Sequence, residues 1–193
     1  VAVNVVERNL VLEAGFEFIL NFLEIEGLHR RTGTALDGFA IPEHDVLWAA
    51  VVDAKELYTD LISAWDSPTL GLDLKPARKI VMNSWRKARF RPEQLVVEPR
   101  TWVTLDYPTV QTADFSGEIS WNVDRPGTAH GLCVWFDTLL SETVSFSNAP
   151  GAPELIYGSA FLPWLDPVDL SPGDHITVFL QATLVGEDYS WSW

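Results

Sequence analysis

Apolar residues recur at two different periods along the chain, and the period separates predicted helices from predicted strands. The first helix is predicted from four apolar residues on one helical face, Phe16, Ile19, Leu20 and Leu23. Gly27 ends it, because glycine is costly inside a helix. The same spacing predicts a second helix over Lys55–Trp65, which the Ser67-Pro68 step stops.

Other segments have the pattern of strands. Val46–Val52 is a short apolar run, and Phe115–Val123 and Ile176–Leu184 alternate between apolar and polar residues. Ala129–Thr138 is apolar on both faces, as expected for a strand at the centre of a sheet. The segment Leu70–Arg91 mixes glycine, proline and basic residues, and we predict it to be irregular.

Turn signals separate the strands. Asp124–Gly127 and Pro172–Asp174 both combine proline and glycine, residues that favour tight turns. Short strands separated by turns are typical of a sandwich or barrel. We therefore predict a mainly β fold, an antiparallel β-barrel or sandwich.

Composition narrows the range of functions. The 193 residues suffice for one domain with a sizeable core, and nine tryptophans favour a broad one. The net charge of −14 argues against nucleic acid and would attract a basic partner, although it can also serve solubility alone. No apolar run is long enough to span a membrane. The single cysteine, Cys133, fits a reducing compartment, so we expect a cytoplasmic location.

The residues themselves suggest little chemistry. The chain has no phosphate-binding loop and no glycine-rich nucleotide fingerprint, and its four histidines lack ligand spacing, so no metal site is expected. Glu7 follows an apolar run and Glu17 lies near a helix start. Such carboxylates either face a ligand crevice or are simply solvated near a helix N-terminus.

Five segments add a further signal, in this order along the chain: Asp37–Pro42, Leu70–Asp73, Gly127–Asp137, Ser147–Pro150 and Ser171–Ile176. Their order and approximate spacing resemble the C-terminal part of the protein arginine methyltransferases. The first resembles the crossing from the nucleotide domain into the barrel, and the second the end of the dimerisation arm. The other three resemble a barrel strand, a turn before a strand and a strand entry.

The resemblance implies a domain organisation. Residues 1–36 would be the remnant of a Rossmann-like nucleotide domain, and residues 37–193 a β-barrel substrate and dimerisation domain with an arm near 53–76. The chain begins at Val1, inside an apolar run, so we expect the rest of the nucleotide domain to precede it in a longer parent. S-adenosylmethionine would bind the intact parent. We expect no cofactor binding and no activity from this fragment, and weak self-association through an exposed apolar stripe on the arm.

The resemblance also implies a site. Glu7 and Glu17 would be the paired carboxylates that hold the substrate guanidinium, and Tyr157 a substrate-binding aromatic residue. The family's Thr-His-Trp motif maps onto Leu155-Ile156-Tyr157, so isoleucine replaces the histidine. The acceptor, arginine or another group, therefore stays open.

The implied partners are a basic protein or peptide substrate and a second copy of the chain in a homodimer. The alternative function is a non-catalytic binding module, either a degenerate methyltransferase relative or a carbohydrate-binding β-sandwich.

Overall fold

The computed structural model describes residues 42–66, 73–186 and 188–193. The predicted first helix, Glu7, Glu17 and the predicted domain at residues 1–36 lie outside these ranges. Two α-helices are described, α1 (Lys55–Asp66) and α2 (Lys75–Met82), together with a short 3-10 helix, Pro92–Gln94. The strands in chain order are β1 His44–Val52, β2 Arg86–Ala88, β3 Arg100–Asp106, β4 Phe115–Asn122, β5 Gly127–Ser141, β6 Val144–Ser147, β7 Ser159–Leu170, β8 His175–Val185 and β9 Asp188–Ser192.

The strands form two antiparallel sheets. The larger has the order β2-β7-β5-β1-β3, with β6 pairing with β5, and the smaller has the order β4-β8-β9. The predicted mainly β, antiparallel fold is confirmed. Of its two forms the sandwich fits, because the two sheets are not closed into one barrel in the described part of the chain.

Strand β5 is the central strand that the sequence predicted. It pairs with β1 on one side and with β7 on the other, and Ala129–Trp135 are all buried. The largest fully buried side chains come from three strands of this sheet and from β8, namely Val51, Val52, Leu132, Phe161, Leu162 and Leu180. Consecutive residues of a strand point to opposite faces, so the burial of both Val51 and Val52 and of both Phe161 and Leu162 shows that the larger sheet is covered on both faces at this point. This explains why β5 has no polar face.

Strand β8 has one buried face, as its alternation predicted. Ile176, Leu180 and Ala182 are buried, and residues between them are at least partly exposed. Its entry turn contains Gly173, whose φ of 94° lies in the region that favours glycine. The predicted turn at Pro172–Asp174 is thus confirmed.

The prediction that Leu70–Arg91 is irregular was wrong for the described part of that segment. Helix α2 occupies Lys75–Met82, with Pro76 in its first turn, where its missing N–H costs nothing. Strand β2 follows at Arg86–Ala88 and pairs with β7. Eight residues give too few helical periods to be recognised from apolar spacing, and α2 is stabilised by packing against α1 and β7.

Candidate functional site

The loop between β6 and β7, residues 148–158, contains the one predicted site residue that the structure describes, Tyr157. The loop arises because β5 changes its partner. Residues Gly127–Val134 pair with β7, whereas Asp137–Ser141 pair with β6. The chain must therefore leave the sheet after β6 and re-enter it beside the first half of β5.

Asn148 fixes the point where the loop leaves the sheet. Its buried side chain accepts a hydrogen bond from the backbone N–H of Phe136 at 2.9 Å through Oδ1 and donates one to the carbonyl of Gly158 at 2.7 Å through Nδ2. One amide thus joins both ends of the 148–158 loop to β5. Only a side chain with both a donor and an acceptor can make this bridge.

Tyr157 packs in an aromatic cluster. Its ring stacks on Phe146 with 5.9 Å between ring centroids and an interplanar angle of 16°. Phe136 lies edge-on to both rings, 6.2 Å from Tyr157 and 5.7 Å from Phe146. The cluster orients Tyr157, which is half-buried, and leaves part of its surface accessible.

Two cations from β2 and the residues after it contact the tip of the loop. Lys87 Nζ donates to the carbonyl of Ile156 at 2.7 Å. Arg89 donates to the carbonyls of Leu155 at 2.6 Å and Tyr157 at 3.2 Å, and it pairs with Glu154 at 3.3 Å. Gly158 permits this close approach, because a Cβ there would lie 2.6 Å from the carbonyl oxygen of Ala88.

The loop and the segment that follows β2 line an open cavity of about 220 Å³. Its wall combines the cations Arg89 and Arg91 with Glu154, and the aromatic rings of Phe90 and Tyr157. The side chain of Ile156 is 78% exposed. The loop therefore presents one apolar side chain and one aromatic ring at its tip.

A polar network joins the two helices to the larger sheet. Tyr58 Oη donates to the carbonyl of Leu165 at 2.7 Å. The Arg78 guanidinium donates to Tyr58 Oη at 2.6 Å, to the same carbonyl at 2.8 Å and to Asp166 at 3.1 Å. Burial raises the pKa of Tyr58, and the hydrogen bond from Arg78 opposes this effect. The helical arm is thus fixed to β7.

The exposed stripe expected on α1 is largely covered. Leu57 and Leu61 pack against the core, and Ile62 and Trp65 are half-buried. Exposed apolar side chains lie instead on α2 and β7, at Ile80 and Leu165. The exposed apolar residues of this region therefore lie on α2 and β7, and not on α1 as the apolar spacing indicated.

His130, part of the motif in Gly127–Asp137, lies under the start of the arm. Its Nδ1 accepts from the backbone N–H of Ala54 at 3.3 Å and lies 3.2 Å from the Asp53 carboxylate. Its ring is edge-on to Tyr58 at 5.3 Å. The residue therefore supports the junction between β1 and α1.

Nucleophilic and metal chemistry find no support in the described ranges. Burial raises the pKa of the Cys133 thiol to about 12, so the thiol stays protonated at neutral pH. No cluster of three or more histidine, cysteine, aspartate or glutamate residues among those described could hold a metal ion. No described helix is long and apolar enough to cross a membrane.

Sequence reasoning missed Asn148, Lys87 and Arg89 as residues that shape the loop. One signal was available for the cations: Lys87, Arg89 and Arg91 alternate along an extended segment in a strongly acidic chain. Asn148 gave no such signal, because its partners are backbone groups 10 and 12 residues away.

The curated relatives that match are protein arginine N-methyltransferases. Protein arginine N-methyltransferase 2 of Homo sapiens is 24% identical over 155 residues, covering 73% of this chain and 36% of the relative. The Mus musculus protein of the same name is 24% identical over 182 residues, covering 87% and 40%. The chain thus spans well under half the length of these relatives.

The fold also matches solved structures. The Trypanosoma brucei PRMT1 enzyme-prozyme heterotetrameric complex with AdoHcy aligns with a TM-score of 0.69 at 19% identity, covering 78% of this chain and 50% of that one. At this identity the match concerns the fold alone.

A family model decides the assignment. The model described as the arginine methyltransferase oligomerization subdomain matches residues 43–180, which include β1, both helices and the 148–158 loop. The match covers most of the chain and agrees with the arrangement of arm and sheets described above. The chain therefore belongs to the arginine methyltransferase oligomerization subdomain family.

Proposed function

We propose that the protein containing this chain transfers a methyl group from S-adenosylmethionine to a basic side chain of a protein or peptide. This chain supplies the substrate-side wall and the dimerisation arm. The observation that carries the proposal is the 148–158 loop, which holds Tyr157 against Phe146 and Phe136 within the segment matched by the family.

In this proposal Glu7 and Glu17 are the paired carboxylates that bind the acceptor. A planar guanidinium offers parallel N–H donors, which two carboxylates can match with bidentate hydrogen bonds. Holding the cation in this way orients one nitrogen toward the methyl group, and orientation is the main source of rate for such a transfer. Tyr157 forms the opposite wall.

The proposed cofactor binds the intact parent through its nucleotide domain. The T. brucei neighbour is a complex with AdoHcy, which supports a cofactor of this class. For the isolated chain we expect no measurable binding of S-adenosylmethionine and no activity. The binding contacts would come from a glycine-rich loop and helix N-terminus, for which this sequence has no motif.

The acceptor is proposed to be basic because the chain carries a net charge of −14. Arginine is the first candidate, but Ile156 replaces the histidine of the resembled motif and is exposed at the loop tip. Assays therefore need arginine peptide, lysine peptide and small-molecule acceptors side by side. We further propose a homodimeric, cytoplasmic parent, consistent with a family described by its oligomerization subdomain.

The test uses full-length protein carrying Glu7→Gln or Glu17→Gln. Each change leaves a bound guanidinium without half of its acceptors, a cost of roughly 3–5 kcal/mol. Methyl transfer to the best acceptor should then fall on the order of a hundredfold or more. Glu118→Gln, an exposed change on β4, is the control and should leave the rate unchanged. Wild-type activity in the Glu7→Gln/Glu17→Gln double variant would contradict the carboxylate assignment.

A non-catalytic relative is the second candidate, and the exposed Ile156 in place of histidine favours it. The T. brucei neighbour pairs an enzyme with a prozyme in one heterotetramer. Full-length protein that transfers no methyl group alone, yet raises the activity of a co-purified methyltransferase subunit, would support this candidate. The carbohydrate-binding sandwich remains a hypothesis to which the comparisons add nothing.

A further inference from the structure

The tip of the 148–158 loop is held by charged side chains of another segment. The carbonyls of three consecutive residues, Leu155, Ile156 and Tyr157, each accept a hydrogen bond from Arg89 or Lys87. The guanidinium of Arg89 also pairs with Glu154. Four consecutive residues are therefore tied to two cations.

The hydrogen bonds from Lys87 and Arg89 are charge-assisted. A hydrogen bond from an ionised donor is shorter and stronger than one between neutral groups. Arg89 spans two carbonyls and a carboxylate with one planar group, so fixing a single side chain orders three loop residues. Lysine and arginine together number only 13 in this chain against 27 acidic residues, yet two of them are committed here.

The neighbouring Arg91 shows the difference. Lys87, Arg89 and Arg91 alternate along one extended segment and are all exposed in part. Arg91 lines the cavity beside the loop, but among the described residues the hydrogen bonds to the carbonyls of residues 155–157 come from Lys87 and Arg89. Hydrogen bonding to the loop tip thus comes from two of these three exposed cations.

We propose that Lys87 and Arg89 form a two-cation clamp that fixes residues 154–157 in the conformation that receives the acceptor. This inference rests on the proposed function, because it takes the loop tip as the acceptor's wall. Arg89 is a positioning residue: it acts through the loop, whose exposed Ile156 and half-buried Tyr157 contact the acceptor.

The clamp should act mainly on acceptor binding. A wall that is already ordered costs the acceptor no loop entropy when it binds. Removing Arg89 frees three residues and removing Lys87 frees one, so Arg89→Ala should have the larger effect. A misplacement of about 1 Å in a positioning group can cost on the order of a hundredfold, so we expect at least about tenfold in KM for the acceptor.

The first measurement is hydrogen exchange by mass spectrometry on the full-length protein. Arg89→Ala should accelerate exchange in the peptide covering residues 149–158 and leave β8 protected. Arg100→Ala, at an exposed arginine on β3 outside the cavity, is the control and should not change exchange of the loop. Arg89→Lys keeps one charged donor and should restore part of the protection.

The second measurement is kinetics of methyl transfer with arginine and lysine peptides. Arg89→Ala should raise KM for the peptide about tenfold, leave KM for S-adenosylmethionine unchanged and keep the melting temperature close to wild type. A purely structural residue would lower the melting temperature and raise both KM values together, and that result would overturn the proposal.

Two further outcomes would also overturn it: a loop as protected in Arg89→Ala as in wild type, or a loosened loop with an unchanged KM for the peptide. If the full-length protein transfers no methyl group at all, the proposed function fails. The clamp is then tested by the affinity for the peptide in equilibrium titration, which must weaken in Arg89→Ala and not in Arg100→Ala.

Discussion

At the scale of single residues, Asp45 stands out in the described chain because its carboxyl group is fully buried. It lies on β1, is 0% exposed, and accepts a hydrogen bond from Tyr107 Oη at 2.6 Å. Burial raises its pKa to about 6, against smaller lowering effects from Thr138, Tyr107 and His44. Thr138 lies opposite on β5, but neither Thr138 Oγ1 nor Asp45 Oδ1 makes a hydrogen bond of ordinary geometry to a described residue. Among the described residues, Tyr107 therefore supplies the well-formed hydrogen bond to the Asp45 side chain.

Asp45 should make stability depend on pH. Its folded pKa of about 6 exceeds its ordinary value of 3.8, so the folded state holds this proton more tightly than the unfolded state. The free energy of unfolding should therefore fall as pH rises from about 4 to about 6, by about 3 kcal/mol at most. Asp45→Asn keeps the acceptor for Tyr107 and should remove this fall, raising stability at pH 7 by about 1–3 kcal/mol.

Urea unfolding at several pH values measures this effect. Tyr107→Phe removes a group that lowers the pKa of Asp45, so the fall in stability should move to higher pH in that variant. Identical pH profiles for wild type and Asp45→Asn would show that Asp45 is not the titrating group.

Cys133 provides a second residue-scale prediction. The thiol is fully buried on β5, and its raised pKa keeps it as the unreactive protonated form. Iodoacetamide at pH 8 should not label the folded chain but should label it completely in denaturant, as intact mass will show. Cys133→Ala is the blank for the reaction. If iodoacetamide labelled the folded chain as fast as the denatured chain, the thiol would be accessible in the folded state.

At the scale of elements, strand β5 depends on the absence of a side chain at Gly131. The register between β5 and β7 shifts between Ala129 and Gly131, the mark of a bulge. A Cβ at Gly131 would lie 2.3 Å from the carbonyl oxygen of Leu162, on the neighbouring strand. Contact this close with a backbone atom cannot be relieved by turning a side chain.

Gly131→Ala should therefore destabilise the fold. Overpacking of this kind costs about 1–3 kcal/mol, and here the backbone of β7 must move. Gly173→Ala is the control: the residue has a positive φ but nothing within 4 Å of its Cβ position, so only backbone strain is added. In thermal unfolding, the melting temperature of Gly131→Ala should be lower than that of Gly173→Ala. The reverse order would argue against the close approach.

At the scale of the whole molecule, the exposed apolar residues of α2 and β7 bear on assembly. Ile80 on α2 is 49% exposed and Leu165 on β7 is 44% exposed, and the Tyr58–Arg78 network fixes the arm beside them. Exposed large apolar side chains on two elements that pack against each other are suited to an interface with a second subunit.

Ile80→Asp should weaken the proposed dimer of the full-length protein. A charge in an apolar interface loses apolar burial and adds desolvation, so the dimer dissociation constant should rise at least about tenfold. Sedimentation velocity over a range of concentrations measures this shift. Val144→Asp, at a 50% exposed residue in the β5–β6 hairpin, is the matched control. Equal dimerisation of wild type and Ile80→Asp would place the interface elsewhere.

Much of the fold was determined by the sequence alone. The alternation in Ile176–Leu184 and the continuous apolar run in Ala129–Thr138 predicted one half-buried strand and one central strand, because side-chain burial follows the period of the strand. The motifs around Gly127–Asp137 indicated the family, which the model matching residues 43–180 confirms. These signals are local, so one segment is enough to recognise them.

The tertiary structure alone decided α2 and the contacts of the 148–158 loop. Helix α2 is short, and packing stabilises it more than its own apolar period does. The clamp joins Lys87 and Arg89 to carbonyls 66 to 69 residues away, and every residue has a carbonyl, so no pattern in the sequence marks those partners. In the sequence, Asp45 is a polar residue that directly precedes the apolar run Val46–Val52. Only the packing of β1 against β5 and the approach of Tyr107 bury it and raise its pKa.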